Sequence, residues 1–212
     1  MKITKEQAAA NRRRIVDASA RAFQARGVDA VGVNDVMKSA GFTHGGFYNH
    51  FESKDALVAE AFAAAFAPAV ASVEGAASSA DRFARALDGY LTVAHRDDPA
   101  NGCPTAALVG DAGRQGPAAR GAYAAGIGRF LAAFESRMPG GGEAARRAAI
   151  ETLAGMVGAM VMARGIGDAD EALSMEILET ARVATAAHLG KRAAPRGAKA
   201  ARARARRGRP GA

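Results

Sequence analysis

Cysteine is almost missing from this chain of 212 residues, and tryptophan is missing altogether. The single Cys103 excludes an intrachain disulfide and a thiolate-based zinc site, and no metal or other cofactor is implied. Aromatic residues make up only 6% of the sequence, whereas alanine and glycine are abundant. Because small side chains let helices pack closely, this composition favours a helical protein over a β-sandwich or a barrel.

Long hydrophobic runs are also missing. No uninterrupted run of about 18 apolar residues occurs, so we expect no membrane-spanning helix and no membrane partner. Residues 1–6 lack the apolar core of a signal peptide, which predicts a cytoplasmic protein. Hydrophobic residues nevertheless make up 49% of the chain, which is enough to bury a core in one or two domains.

Acidic residues are absent from one end of the chain. Residues 190–212 contain nine basic side chains and no acidic one, and the whole chain has a formal net charge of +8. Residues 1–55 are also basic on balance, whereas residues 56–189 are acidic on balance. Two basic ends indicate a polyanionic partner, most often nucleic acid. A tail that only keeps the protein soluble is the alternative.

Helical periodicity dominates the rest of the sequence, and no segment alternates as a strand would. A stripe with i, i+3, i+4 spacing runs from Ile15 to Phe23, and Gly27 is placed to end that helix. A short helix is predicted over residues 33–40, and a third over 43–51 with Thr43 as its cap. Ser53 begins a fourth helix, which Pro68 is expected to kink or end.

The stretch from Val33 to Phe51 carries the functional signal, because a short helix, a glycine turn and another short helix make a helix-turn-helix. In its second helix Phe47 and Phe51 are four residues apart and can face the core with Phe42. The opposite face presents polar and small residues, namely His44, Gly45, Tyr48 and Asn49. A helix that enters a DNA major groove needs such an exposed set.

Residues 41–57, which read Gly-Phe-Thr-His-Gly-Gly-Phe-Tyr-Asn-His-Phe-Glu-Ser-Lys-Asp-Ala-Leu, resemble the recognition helix and following turn of TetR/AcrR-type transcriptional regulators. The resemblance extends over about residues 11–66. It implies an all-α homodimer whose N-terminal domain binds a palindromic operator on double-stranded DNA and whose C-terminal domain binds a small-molecule inducer. The implied domains are a DNA-binding domain (1–55), a ligand-binding and dimerisation domain (56–189) and a disordered basic tail (190–212).

The resemblance also implies which side chains contact DNA. Phosphate contacts would come from Thr43, Tyr48, His50 and Lys54, and approaches to bases or sugars from Asn34, His44, Gly45, Gly46 and Asn49. Gly32 departs from the family pattern, because the hydroxyl that often caps the second helix there is absent. For Tyr48 and His50 the alternative is simple packing at the edge of the domain.

The predicted last two helices, within about residues 143–189, carry small residues such as Gly155 and Gly158 at spacings of three and four. By resemblance they pair with the same helices of a second copy, and intramolecular packing is the alternative. The predicted ligand pocket is mostly apolar and lies among the middle helices. Its candidate residues, each of which also has an ordinary core interpretation, are Tyr90, Leu91, His95, Cys103, Leu108, Phe130, Phe134, Met156 and Met160.

Two further features have competing interpretations. Cys103 lies at a predicted helix start, where a thiol can become reactive and sense electrophiles or oxidants; a small buried residue is the alternative. Residues 207–210, Arg-Gly-Arg-Pro, match the core of an AT-hook, and a sequence-independent electrostatic arm is the alternative.

The sequence therefore predicts a ligand-responsive, DNA-binding transcriptional regulator that is associated with the nucleoid. We expect it to act as a repressor. The ligand would release it by favouring a dimer geometry that no longer fits the operator. A non-specific DNA-coating protein driven by the two basic ends is the alternative. We expect no enzymatic activity, since Cys103 and His95 have no third orienting group.

Overall fold

The computed structural model describes residues 4–190, and within that range the chain is all-helical with no strand. Residues 191–212, which include the predicted tail and the AT-hook match, lie outside the described residues. The α-helices are α1 (Lys5–Arg26), α2 (Val33–Ser39), α3 (Lys54–Ala76), α4 (Ala80–Tyr90), α5 (Val93–Asp97), α6 (Pro104–Ala112), α7 (Pro117–Glu135), α8 (Gly142–Ile166) and α9 (Glu171–His188), and 3₁₀ helices cover His44–Asn49 and Pro99–Asn101.

The first helix begins and ends where local chemistry dictates. The Thr4 hydroxyl accepts a hydrogen bond from the backbone N–H of Gln7, which satisfies one free donor of the first turn. Gly27 ends the helix at φ 81°, a conformation that favours glycine. The predicted stop at Gly27 is therefore confirmed.

The predicted third helix is a 3₁₀ helix, which we call the recognition segment (His44–Asn49). The prediction that the Thr43 hydroxyl caps it is wrong, because that side chain makes no capping bond. The Thr43 carbonyl instead accepts from the N–H of Gly46, an i→i+3 bond. Two adjacent glycines disfavour a regular α-helix here, and burial of Phe47 fixes the tighter turn.

Of the two outcomes predicted for Pro68, a kink or an end of the helix, the end is wrong, because α3 continues to Ala76. Proline removes one hydrogen bond from a helix interior. Packing compensates on both sides of it, because Phe66 and Val70 are buried in the core of the C-terminal half. The prediction for Ser53 is confirmed, since its hydroxyl accepts from the N–H of Ala56 and caps this helix.

The described residues form two hydrophobic clusters. The first surrounds the recognition segment and includes Phe47 and Phe51, but it also extends along α3 to Ala65 and takes in Leu108 of α6. The second lies among α3, α4, α7, α8 and α9. The packing around the recognition segment thus continues beyond residue 55, the boundary that we predicted.

Two helices, α3 and α8, are long and apolar enough to cross a membrane by length and composition alone. Both contribute buried residues to the clusters just described. The apolar stretch of α3 is interrupted by Glu60, whose carboxylate pairs with Arg12 of α1. Both helices thus contribute part of their surface to the helical core.

Helices α3 and α7 approach so closely that only glycine fits at position 126. A Cβ there would lie 2.2 Å from the buried ring of Phe66. We expect Gly126→Ala to lower the free energy of unfolding by about 1–3 kcal/mol or more, the usual cost of overpacking. Gly128→Ala on the same helix meets no atom within 4 Å and should raise stability by about 0.5–1 kcal/mol. Urea unfolding of both variants checks this, and equal stabilities would contradict it.

Candidate nucleic-acid interface and ligand cavity

The recognition segment presents one polar face to solvent. Tyr48 is 73% exposed, the largest exposure among the big hydrophobic side chains described. His44, Gly45 and Asn49 are also exposed, whereas Gly46 is half-buried. The predicted division of faces is confirmed, because Phe47 and Phe51 are buried on the other side with ring centroids 5.5 Å apart.

The other residues predicted to contact DNA flank this segment. Asn34 near the start of α2 and Thr43 are exposed, and His50 is half-buried. Lys54, the first residue of α3, is also half-buried, and its ammonium donates to the carbonyl of Val28 at 2.9 Å. That bond ties α3 to the loop before α2 and leaves two ammonium protons for another acceptor.

Arg12 of α1 joins three elements around the recognition segment. Its guanidinium pairs with Glu60 of α3, donates to the carbonyl of His50 and lies 4.2 Å from the centroid of the Phe51 ring. A planar guanidinium can make all three contacts at once. Arg12 therefore fixes where the segment sits relative to α1 and α3.

Arg14, two residues later on the same helix, supports the turn before the recognition segment. It donates to the Ala40 carbonyl at 3.0 Å and lies 5.2 Å from the centroid of the Phe42 ring. Gly41 makes that turn at φ 82°. Sequence reasoning missed both arginines as positioning residues, because the run of three at 12–14 indicates only a basic helix face.

A cavity of about 630 Å³ lies between α1 and the C-terminal half. Six of the residues predicted for a ligand pocket line it, namely Tyr90, His95, Cys103, Phe130, Phe134 and Met156. The other three do not line it: Leu91 and Met160 are buried in the second cluster, and Leu108 in the first. Helix α1 also lines the cavity through Asp17, Ala20, Arg21 and Gln24.

One side of the cavity is built from His95, Cys103 and Tyr90. The backbone N–H of Cys103 donates to Nε2 of His95 at 3.2 Å, and the Tyr90 ring packs on the imidazole at 4.6 Å between centroids. Burial and the nearby Arg164 charge lower the pKa of His95, with Asp98 opposing, so the ring is neutral at pH 7. Burial, and then proximity to Cys103, raises the pKa of Tyr90.

Arg164 of α8 supports the His95 side of the cavity through hydrogen bonds to the backbone. Its guanidinium donates to the carbonyls of His95 and Arg96, both at 3.0 Å. Gly102 leaves room for it, since a Cβ at that position would lie 2.9 Å from Nη2 of Arg164 and 2.9 Å from the Asp98 carbonyl. Sequence reasoning missed Arg164, because its partners are backbone carbonyls distant in sequence.

Residues 15–61 match the sequence profile of a family described as bacterial regulatory proteins, tetR family. This range contains α2, the recognition segment and the start of α3. Over these residues the chain carries the sequence pattern of the TetR family.

The curated relatives match this chain over 55–57 residues. The HTH-type transcriptional regulator TtgR of Pseudomonas putida is 44% identical over 55 residues, which are 26% of this chain and 26% of TtgR. The chain thus spans about a quarter of the length of such relatives in these matches.

Solved structures extend the likeness of fold to the whole helical body. The reduced form of NemR from E. coli has a TM-score of 0.70 at 20% identity, with 84% of this chain and 97% of NemR covered. A SmeT–triclosan complex has a TM-score of 0.62 at 18% identity, with 84% and 90% covered. The fold of the TetR-family neighbours is therefore shared beyond the N-terminal domain.

Within the described residues, helices α8 and α9 leave several large apolar side chains exposed, and we call this part of the surface the α8–α9 face. Its large exposed side chains are Ile150, Val161 and Met162 of α8 and Leu173, Met175 and Val183 of α9. Gly155 and Gly158 of α8 would have open space around a Cβ. The α8–α9 face thus carries large apolar side chains, and its two glycines allow the backbone of another helix to approach closely.

Proposed function

We propose that this TetR-family protein is a homodimeric transcriptional repressor that binds a palindromic operator and is released by a small, mostly apolar ligand. The exposed face of the recognition segment carries the proposal. Tyr48 protrudes into solvent while its neighbours Phe47 and Phe51 are buried, so the polar face is displayed by a rigid support. Such a face suits contacts to phosphates and base edges in a major groove.

The proposed roles of the side chains follow from their chemistry and exposure. Tyr48, Thr43, His50 and Lys54 donate to phosphate oxygens, which fix the position of the domain on DNA without reading sequence. Asn49 and His44 reach base edges, where an amide or an imidazole can both donate and accept. Asn34 approaches a base edge or a sugar, and the two glycines of the segment let the backbone come close to DNA. Binding to the chromosome places the protein in the cytoplasm, at the nucleoid.

The ligand in this proposal occupies the cavity between α1 and the C-terminal half. Its volume of about 630 Å³ lies in the range of pockets that enclose drug-sized molecules. The related fold in the SmeT–triclosan complex supports binding of a small molecule by this body. Cys103 lines the cavity, where a thiol would meet a reactive ligand; we propose reversible binding and keep reaction at sulfur as the alternative.

The dimer in this proposal forms through the α8–α9 face. Six large apolar side chains are exposed there on two adjacent helices, and such patches on a soluble protein mark an interaction surface. A two-fold axis would also present two recognition segments, as successive major grooves about 34–36 Å apart require.

Selection of bound sequences from a random DNA pool, at a physiological salt concentration of about 150 mM, tests operator binding. We expect one enriched palindrome with the full chain. Asn49→Ala should relax selection at one position of each half-site, with about 1–3 kcal/mol less discrimination. Ser78→Ala, at an exposed position beyond the far end of α3, should leave the motif unchanged.

The alternative of a DNA-coating protein predicts a different result in the same experiment. No enriched motif, or only a preference for A·T-rich DNA, would contradict the operator proposal and favour binding through the basic ends.

The dimer interface has its own test. Gly155→Arg adds a long charged side chain where the protomer offers open space, so it should leave the fold intact and block close approach of a second copy. We expect sedimentation to report a monomer for Gly155→Arg. Gly121→Arg on α7, which also meets no atom within 4 Å, should remain a dimer. A dimeric Gly155→Arg protein would contradict an interface at this face.

A further inference from the structure

The first helix of the N-terminal domain forms part of the cavity wall. Four residues of the second half of α1 line the space, and the rest of the lining comes from α3, α4, His95, residues 100–103, α7 and α8. A molecule in the cavity would therefore touch the N-terminal domain directly. A molecule that contacted only the C-terminal half could affect the N-terminal domain only through movements of other helices.

Among the α1 residues that line the cavity, Gln24 has a buried polar atom that could bind such a molecule. Its side chain lines the cavity and the residue is only 8% exposed. The amide nitrogen donates to the carbonyl of Ala100 at 2.7 Å, but the amide oxygen is buried without any hydrogen-bond partner among the described residues. A buried polar atom of this kind normally has a partner.

The orientation of this amide is fixed by its neighbour. Rotating the amide by 180° would place Oε1 against the Ala100 carbonyl, where two acceptors would face each other. The oxygen of Gln24 therefore stays the free group, and it can only accept. The missing partner is a hydrogen-bond donor.

The rest of the lining describes the other properties of the occupant. Its inner part is apolar and includes Leu87, Phe130, Phe134, Leu153 and Met156. The neutral imidazole of His95 adds no charge. Within residues 4–190, the acidic and basic side chains along the wall are Asp17 and Arg21, which have opposite signs and are exposed to solvent. The Arg164 guanidinium, whose Nη1 is buried without a hydrogen-bond partner among the described residues, lies outside this lining. The lining itself therefore favours an uncharged molecule.

A second buried polar atom belongs to the lining of the same space. The hydroxyl of Tyr90 lies near the Cys103 thiol, but no nitrogen or oxygen of the described chain is its hydrogen-bond partner. A hydroxyl can donate or accept, so it adds a place for another polar atom of the occupant without restricting its chemistry.

We infer that Gln24 is a ligand-binding residue and that the cavity takes an uncharged, largely apolar molecule bearing a hydroxyl or N–H group that donates to the Gln24 amide oxygen. This inference rests on the proposed ligand-responsive function and names the chemistry of the ligand and the helix that detects it.

The position of Gln24 explains how occupancy reaches DNA. Arg12, which contacts the recognition segment, lies on the same helix twelve residues earlier, about 18 Å along the axis. A helix of this length transmits a shift at one end to the other. Ligand bound to Gln24 thus acts on the segment through α1 itself.

Binding of two matched probes to the full-length protein tests the inference by calorimetry. The probe 4-phenylphenol has a donor hydroxyl, and 4-methoxybiphenyl has the same rings without a donor. We expect the wild-type protein to prefer the phenol about tenfold or more, the effect of one buried hydrogen bond. Gln24→Met removes the acceptor at similar volume and should reduce the preference to less than about twofold. Gln115→Met, outside the cavity, should keep it.

A measurement on the wild-type protein covers the case in which Gln24→Met does not fold. In the complex with 4-phenylphenol, NMR should show cross-relaxation between the probe's ring protons and the Gln24 side-chain amide protons. Failure of both probes to bind at millimolar concentration, an equal affinity for the two, or no contact with Gln24 would each overturn the inference.

The DNA readout separates this inference from the proposed function. With a selected operator, 4-phenylphenol should weaken DNA binding by the wild-type protein and weaken it much less, at the same concentration, for Gln24→Met. If no operator is found but the phenol preference and its dependence on Gln24 hold, the regulator proposal fails and the ligand site stands. If operator binding holds and the phenol preference is absent, the ligand inference alone fails.

Discussion

The contact of Arg12 with the recognition segment is the interaction on which the DNA-binding geometry depends. A 3₁₀ helix of six residues has too few internal hydrogen bonds to hold its own position. Its position comes from two buried phenylalanines and from a guanidinium that reaches a carbonyl at its end. Because the same guanidinium pairs with Glu60, movement of α3 or α1 changes where Tyr48 and Asn49 point.

Helix α1 consequently has two roles at its two ends. Its first half positions the segment proposed to contact DNA, and its second half lines the cavity proposed to bind the ligand. Residues 99–103 connect the second half of α1 to the C-terminal half, since Gln24 donates to Ala100 and His95 accepts from Cys103. In the mechanism that we propose, a ligand that changes this junction would change the angle of α1, and a dimer with altered spacing between recognition segments would no longer fit its operator.

Sequence reasoning predicted the elements whose signals are local, and it missed contacts between distant segments. The stop at Gly27, the cap at Ser53 and the burial of Phe47 and Phe51 follow from residue type and spacing, and the structure has all of them. The expectation that α3 could end at Pro68 was wrong, because packing of the neighbouring residues in the core stabilises the helix beyond the proline. Contacts such as Arg164 with the His95 carbonyl, or Gln24 with Ala100, join residues 69 and 76 positions apart, and no local pattern encodes them.

Hydrogen exchange of the recognition segment tests the central role of Arg12 most directly. The amides of His50 and Phe51 both donate to the Phe47 carbonyl, so their protection reports whether the segment stays in place. In Arg12→Met we expect that protection to fall while the protection of α8 is kept. Arg13→Met, the same change at an exposed neighbour, should leave both unchanged. Full protection of these amides in Arg12→Met would contradict the account.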